Sequence, residues 1–338
     1  MNNHSTNHLM SENVISTTLH TARTSAAWRN CNSLGKITAK GADRIDLLNR
    51  LSTNELKDLQ NGQGRQTVLT TEKGRIVDVL TILAEENSLF IITSENNAQP
   101  VRDYLRKYTI MDDFKTADIT EDFGAIEIFG PRSGIFLKEA LGIDVQALPM
   151  HGFQKENIFG TDIIIARRES VAELAYLLVY RKESEEEIIH AFKNYGPDMP
   201  EIDRGLFTTL RVEAGMGILG AEWTTDYNPL EAGLLHNISF KKGCYVGQEV
   251  IARLDSYNKV SKRLTGFISE REIPVGAEIF ADGKAVGKIT TSAFSELLKM
   301  NAALGYIRSE FAQENHPVEI SHNGEKFPAN VVKPPFKK

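Results

Sequence analysis

Cys244 sits in the run F-K-K-G-C-Y-V-G-Q-E at residues 240–249, one of two cysteines in the chain. Lys241 and Lys242 precede it, and positive charge beside a thiol stabilises the thiolate, lowering its pKa from about 8.5. Gly243 and Gly247 permit backbone conformations that bring other groups close to a sulfur or a ligand. The segment therefore reads either as a reactive thiolate or as a small apolar side chain packed in a turn. Lys241, Lys242, Arg253, Lys259, Lys262 and Arg263 fall in one short region. They form either a local anion-attracting groove or a solvated charged surface. Gly215-x-Gly217-x-x-Gly220 spells the dinucleotide fingerprint, which requires a strand before it and a helix after it. Here the residues before it read as a helix and residues 221–229 do not, so no nucleotide site is expected. There is no Walker A lysine, paired C-x-x-C or H-E-x-x-H, and no resident metal is expected. His4, His8, His20 and His151 fall in expected loops or near the terminus and read as solvated.

The 338 residues exceed what one hydrophobic core serves, so two or three domains are expected. A net charge of −6 argues against a dominant nucleic-acid footprint. Cys31 and Cys244 offer no disulfide framework and fit a reducing compartment. No stretch approaches the ~18 apolar residues of a membrane span, and the polar first 15 residues carry no secretory h-region. A frayed tail over 1–15 on a cytoplasmic protein is the expectation.

The elements that must position these groups follow from hydrophobic periodicity and turn chemistry. A helix is expected over 16–30, a strand over 35–39, and a helix over 43–51 with Asp43 as its cap. Strands over 67–71, 76–84 and 88–93 form a meander, closed by a helix at Ala98–Tyr108. A similar layout follows: strands over 115–119 and 125–129, a helix from Pro131, strands over 161–167 and 172–180, and an acidic helix over 184–195. Two strand-rich units, each closed by a helix, point to an internally duplicated α+β architecture without a visible sequence repeat. A helix over Arg204–Ala214 places Arg211 and Glu213 near its end. Beyond residue 259 the pattern becomes short strands with Asp282-Gly283 and Asn323-Gly324 as hairpin turns, a small β-barrel or sandwich. The expected division is a tail (1–15), an α+β region (16–258, two subdomains split near 110–125) and a C-terminal barrel (259–338).

Lys242-Gly243-Cys244-Tyr245-x-Gly247-Gln248-Glu249 resembles the signature of the YgfZ-type folate-binding proteins. These are relatives of the glycine-cleavage T-protein, an aminomethyltransferase, and include a mitochondrial iron–sulfur assembly factor. Arg211-Val212-Glu213-Ala214-Gly215 is similar to that superfamily's R-x-E-A-G, and Asn228-Pro229-x-Glu231-Ala232-Gly233-Leu234 to the segment after it. Gly41-Ala42-Asp43, Leu51-Ser52-Thr53-Asn54-Glu55-Leu56 and Ala303-Leu304-Gly305-Tyr306-Ile307 extend the similarity over 25–307. The resemblance implies a T-protein-like fold of α+β subdomains plus a C-terminal β-barrel around a central channel. It implies tetrahydrofolate or a derivative as cofactor, with Glu213 accepting the donor pair of the pterin ring by charge-assisted hydrogen bonds. The alternative for Glu213 is a helix-surface carboxylate paired with Arg211 or a lysine, worth little when exposed. Lys241, Lys242 and Arg253 would attract the anionic glutamyl tail, and Arg211 is counted with Glu213 among the folate-binding residues. Gln248 and Glu249 would brace the loop, Tyr245 would pack, and Cys244 would be the reactive thiolate in a cavity shared with Glu213.

The implied role is assembly or repair of iron–sulfur clusters in client enzymes, including those that modify transfer RNA, without direct contact to nucleic acid. One thiolate is too few to hold a stable cluster, so a cluster held here would be shared with a partner or use other ligands. The implied partners are folate and iron–sulfur assembly or client proteins. One departure stands out: residues 74–80 read G-R-I-V-D-V-L where the aminomethyltransferases carry G-G-I-x-D-D-L. Val79 replaces the second aspartate, and a valine neither carries charge nor accepts a proton. The alternatives are a folate-dependent aminomethyltransferase or demethylase using Asp78 as base, and a non-catalytic folate sensor for which Cys244 is dispensable.

Overall fold

Two five-stranded antiparallel sheets with the same strand order lie face to face in the computed structural model, which describes residues 3–195, 199–257 and 259–336. Helix α1 (Asn3–Thr24) leads into β1 (Ala27–Asn30). The first sheet follows as β2 (Leu34–Lys40), α2 (Arg44–Leu51), β3 (Gly64–Thr70), β4 (Ile76–Ala84), β5 (Leu89–Glu95), α3 (Ala98–Tyr108) and β6 (Lys115–Asp118). The second repeats the plan with β7 (Phe123–Phe129), α4 (Ser133–Leu141), β8 (Phe153–Ile158), β9 (Thr161–Arg168), β10 (Ala175–Arg181) and α5 (Glu185–Tyr195). Their orders, β3-β4-β5-β2-β6 and β8-β9-β10-β7-β1, superpose strand for strand. The expected duplication is thus present in topology without a repeat in sequence.

Each sheet takes one edge strand from outside its own meander. β6 joins β2 after α3, whereas β1 precedes the first unit and pairs with β7, Ala27 opposite Phe129. A bare edge strand would leave a row of unpaired N–H and C=O groups. β1 therefore crosses the boundary that the sequence reading drew near 110–125. Residues 27–30 were read there as helix, and the helix that precedes them starts at Asn3, inside the expected frayed tail. β8 was unassigned because its exposed face is polar and only Phe153 is buried. Asp43 flanks α2, but its carboxylate accepts from the amide of Asp113 rather than capping its own helix.

The layers explain the apolar runs. Leu83, Phe90 and Ile92 of the first sheet meet Ala125, Ile164, Leu177 and Val179 of the second. On the outer faces, Leu80, Ile82 and Ile91 pack under α2 and α3, while Ile128, Tyr176 and Leu178 pack under α4 and α5. A strand covered on both faces has no polar side to alternate with.

Helices α6 (Arg204–Ala214) and α7 (Gln248–Ser256) precede a closed barrel. Its strands are β11 (Lys262–Ser269), β12 (Glu278–Ala281), β13 (Lys284–Ser295), β14 (Met300–Arg308), β15 (Pro317–His322) and β16 (Glu325–Val332). Both expected hairpin turns have positive φ at both central residues, 50° and 75° at Asp282-Gly283 and 50° and 84° at Asn323-Gly324. Asp203 caps α6 by accepting from Leu206 N at 2.8 Å. The register of β13 shifts between Ile289 and Thr291, so Thr290 is bulged. A bulge lets consecutive side chains address one partner, and Thr290 and Thr291 both donate to Glu222 Oε1, at 2.7 and 2.6 Å. The same carboxylate takes Arg211 Nη1 at 3.0 Å, tying α6 and the loop after it to the barrel.

Removing one partner of a buried pair strands the other charge, at a cost of about 3–5 kcal/mol. Glu222→Ala is therefore expected to lower stability by about that amount in urea unfolding. The double variant Arg211→Met/Glu222→Leu, which removes both charges, should lose markedly less.

Candidate functional site

A cavity of about 210 Å³ opens between the two sheets where their side chains stop interlocking. Leu34, Val79 and Ile92 come from the first sheet, Glu127, Phe129 and Arg168 from the second, and β1 adds Arg29. The loop after α6 roofs it with Met216, Gly217, Ile218, Leu219 and Trp223. The glycines of that loop have structural duties. Gly215 ends α6 in the left-handed conformation (φ 74°), and a Cβ on Gly217 would lie 2.5 Å from the Trp223 indole nitrogen. The literal dinucleotide fingerprint is thus a helix end and a roof.

One carboxylate inside the cavity wall is nearly closed off from solvent. Glu127 accepts from Arg29 Nε at 2.6 Å, with Arg168 Nη1 at 3.7 Å. Burial pushes its pKa up, but the two guanidinium groups outweigh that and hold it below the usual carboxylate range. Arg29 in turn lies over the Phe207 ring at 3.6 Å, which fixes its orientation. Two buried donors of the lining lack hydrogen-bond partners, Arg168 Nη1 and Trp223 Nε1. At the rim, His236 Nε2 meets Glu169 Oε1 at 2.7 Å. The hydrogen bond to Glu169 raises the His236 pKa, and the bond from His236 lowers that of Glu169.

Most residues singled out from the sequence lie elsewhere. Glu213 does not line the cavity. Its carboxylate is clasped by Arg23 (Nη2 at 2.6 Å, Nε at 3.1 Å) and by Ser295 Oγ at 2.6 Å, and its carbonyl accepts from Phe336 N at 2.7 Å. It joins α1, the barrel and the C-terminal segment. Arg211 pairs with Glu222 rather than Glu213, and also donates to Met216 O and Thr291 Oγ1. Lys242 donates to the carbonyls of Asn49, Ser52 and Asn54 at 2.7, 2.8 and 2.5 Å, capping the end of α2. Burial brings its pKa down to about 8. These partners leave neither Glu213 nor Lys242 turned toward a ligand in this arrangement.

Cys244 is exposed, as are Gly243, Glu249 and Arg253, and none of the four lines the cavity. Tyr245 packs inward at 7 % exposure, and Gln248 Oε1 accepts from Tyr245 N at 3.3 Å, bracing the loop. Gly247 has φ 82°, and a Cβ there would meet Thr71 O at 2.6 Å. This cavity does not bring Glu213 and Cys244 together: the clasp holds one and the surface loop the other. Asp78 and Val79 diverge as neighbours in a strand must. Val79 faces the cavity, while Asp78 turns to α3 and accepts from Val79 N, Ser94 N, Ser94 Oγ and Asn97 Nδ2. Burial raises its pKa.

The sequence reading missed Arg29, Glu127, Arg168 and Trp223. One signal was available: Glu127 interrupts the apolar run A-I-E-I-F, and a carboxylate in such a strand needs a partner.

Comparison with known proteins agrees with the architecture. Residues 5–242 match the GCVT N-terminal domain family, and residues 262–338 the glycine cleavage T-protein C-terminal barrel domain. The chain is 29% identical over 325 residues to the aminomethyltransferase of Bacillus subtilis, covering 94% of this chain and 89% of that protein. It is 28% identical over 306 residues to a putative chloroplastic transferase of Arabidopsis thaliana, covering 89% of this chain and 69% of that protein. The solved aminomethyltransferase T of the Bartonella henselae glycine cleavage system shares the fold with a TM-score of 0.85 at 20% identity, covering 96% and 89% of the two chains.

Two outcomes follow. Glu213→Gln weakens the clasp, so it is expected to lower the unfolding midpoint, and Arg23→Gln should lower it no further in the Glu213→Gln background. The His236 pKa is raised by Glu169, so the tie is complete below the ordinary histidine pKa near 6.5 and fades as pH rises through the elevated value. An NMR titration of Glu169→Gln should return His236 toward the ordinary value.

Proposed function

The chain belongs to the glycine cleavage T-protein family, and from that premise we propose that it binds a reduced folate in the cavity between the two sheets and serves one-carbon transfer there. The observation that carries this reading is the pairing inside the cavity of an ionised carboxylate with unsatisfied donors. A pterin ring offers a ring N–H beside an amino group, the donor pair that Glu127 would accept. Its carbonyl and ring nitrogens are acceptors, which Trp223 Nε1 and Arg168 Nη1 lack. Ile92, Phe129 and Leu219 supply apolar walls for a flat ring. The residues present therefore fit the group. A bound tetrahydrofolate would supply nitrogens that accept or release a one-carbon unit.

The chain's own part is to bind, orient and exclude water. Arg29 and Arg168 keep Glu127 ionised, so it accepts hydrogen bonds and gives up no proton. Val79 offers no proton acceptor on the cavity wall, and Asp78 is turned away with its oxygens engaged. Any proton leaving a donor amine would pass to Glu95 or Glu169, the remaining carboxylates of the lining.

A second reading, the YgfZ-type role in iron–sulfur cluster assembly or repair, is favoured by two observations together. Valine stands at the cavity position where the aminomethyltransferases carry aspartate, and the K-G-C-Y-V-G-Q-E loop presents an exposed Cys244. In that reading folate occupies the same cavity, Cys244 works on a partner, and the cell compartment is the cytoplasm.

Titration of the purified protein with tetrahydrofolate is expected to give saturable binding, weakened about tenfold or more in Glu127→Gln by loss of a charge-assisted pair. Unchanged affinity in that variant removes the pterin from this cavity. Incubation with tetrahydrofolate and aminomethyl donors then separates the readings. Folate product marks transfer; binding without product, with cluster-enzyme activity lost in a Cys244→Ala strain, marks the second.

A further inference from the structure

A second chamber of about 240 Å³ adjoins the cavity and shares Arg29, Glu95, Asn96, Arg204, Phe207 and Ile218 with it. Arg211 lines this chamber and not the first. Its side chain is only 4% exposed; Nη1 and Nη2 are taken by Glu222, Met216 O and Thr291, but Nε–H has no partner. A buried N–H without an acceptor is costly, and the residue that carries this one is part of the chamber's wall. Arg204 is 87% exposed and stands 4.0 Å from Glu95, which Arg29 Nη1 approaches at 3.8 Å. Asp203 also lines the chamber, but one of its oxygens is committed to Leu206 N. Among the described residues no hydrogen bond engages the side chains of Arg204 and Glu95, which meet only as a long ion pair, so Arg204 with Arg211 Nε–H offers cationic capacity and Glu95, though near two arginines, anionic capacity.

Opposed charges a few ångströms apart, one of them with an idle buried donor, match an amino-acid group. We propose that this chamber is a subsite for the carboxylate of an α-amino acid, held by Arg204 and by Arg211 Nε–H, with Glu95 placed for the ammonium group of a free one. Burial and the neighbouring Arg204 both oppose the charge on Arg211, and a bound carboxylate relieves that opposition. Two sources share the chemistry. A free amino acid would occupy the chamber as a ligand in its own right and use Glu95 for its ammonium group. The glutamate at the end of the folate itself would carry an amide nitrogen, and so would leave Glu95 idle. Only this second source rests on the folate reading.

Calorimetric titration of the full chain, its Arg204→Gln and its Glu95→Gln variants tests this with three probes: glycine, tetrahydrofolate and tetrahydropteroate, which lacks the glutamate. Residues 204 and 95 are both well exposed at their charged ends, so the variants are expected to fold. A free amino acid as ligand predicts glycine binding that weakens about tenfold in each variant, the worth of one charge-assisted hydrogen bond. The folate's own glutamate predicts tetrahydrofolate binding about tenfold tighter than tetrahydropteroate in wild type and Glu95→Gln, with the gap closed in Arg204→Gln. Absence of both glycine binding and the gap overturns the subsite, as does either effect if it is indifferent to residue 204. If neither folate binds, the folate reading fails by itself, and the glycine arm alone decides the chamber.

Discussion

A buried ion pair, Arg211 with Glu222 at 3.0 Å, sets where the cavity's roof lies relative to its walls. Glu222 is fully enclosed and takes four donors: Arg211, Ile218 N, Thr290 and Thr291. Tyr306 of the barrel adds a bond to its carbonyl at 2.8 Å. Because a lone charge there is so costly, α6, the roof loop and the bulged strand β13 must all be in place together. Hydrophobic contact alone would let the barrel slide against the sheets, since it has no direction. The directional requirement comes from the carboxylate, and the bulge exists where two adjacent threonines must reach it.

The duplicated plan explains why a cavity lies between the sheets at all. Two sheets with one strand order present similar inner faces, and they interlock where those faces carry Leu83, Phe90, Leu177 and Val179. Where Arg29, Glu127 and Arg168 replace apolar side chains, close packing would leave charges unsolvated. A cavity lies there instead, walled in part by a paired set of ions. β1 reinforces this arrangement, since it delivers Arg29 to the second sheet directly opposite Glu127 in register. An edge strand borrowed from ahead of the first unit thus supplies both edge closure and the counter-charge of the cavity carboxylate.

What was legible in the sequence is what local chemistry determines. The Asp-Gly and Asn-Gly turns gave the barrel hairpins, and the apolar spacing in Ala98–Tyr108 and Arg204–Ala214 gave α3 and α6. The motif R-V-E-A-G was found, but the partners of its charges were not visible. Arg23 lies 190 residues from Glu213 and Ser295 lies 82 away, and no periodicity encodes such pairings. Lys242 shows the same limit. Beside Cys244 in sequence, it reads as a charge for a thiolate or an anion; its ammonium instead reaches carbonyls 188 to 193 residues upstream. Glu127 lay within reach of sequence reasoning and was passed over because its strand was read for its apolar residues alone.

Asp78 and Val79 show how neighbours in one strand carry separate duties. Alternation in β4 gives the two positions different duties. The side chain at 78 serves the outer face, where four donors from its own strand, β5 and the start of α3 converge on it. The side chain at 79 serves the cavity. Exchange of an acid for valine at 79 removes a titrating group from the cavity wall and leaves the β4–β5–α3 connection intact. The converse exchange at 78 would orphan donors from Ser94 and Asn97 in the interior. A titrating group at 79 is therefore separable from the cavity's shape, and Glu127, locked by two arginines, stays an acceptor rather than a source of protons.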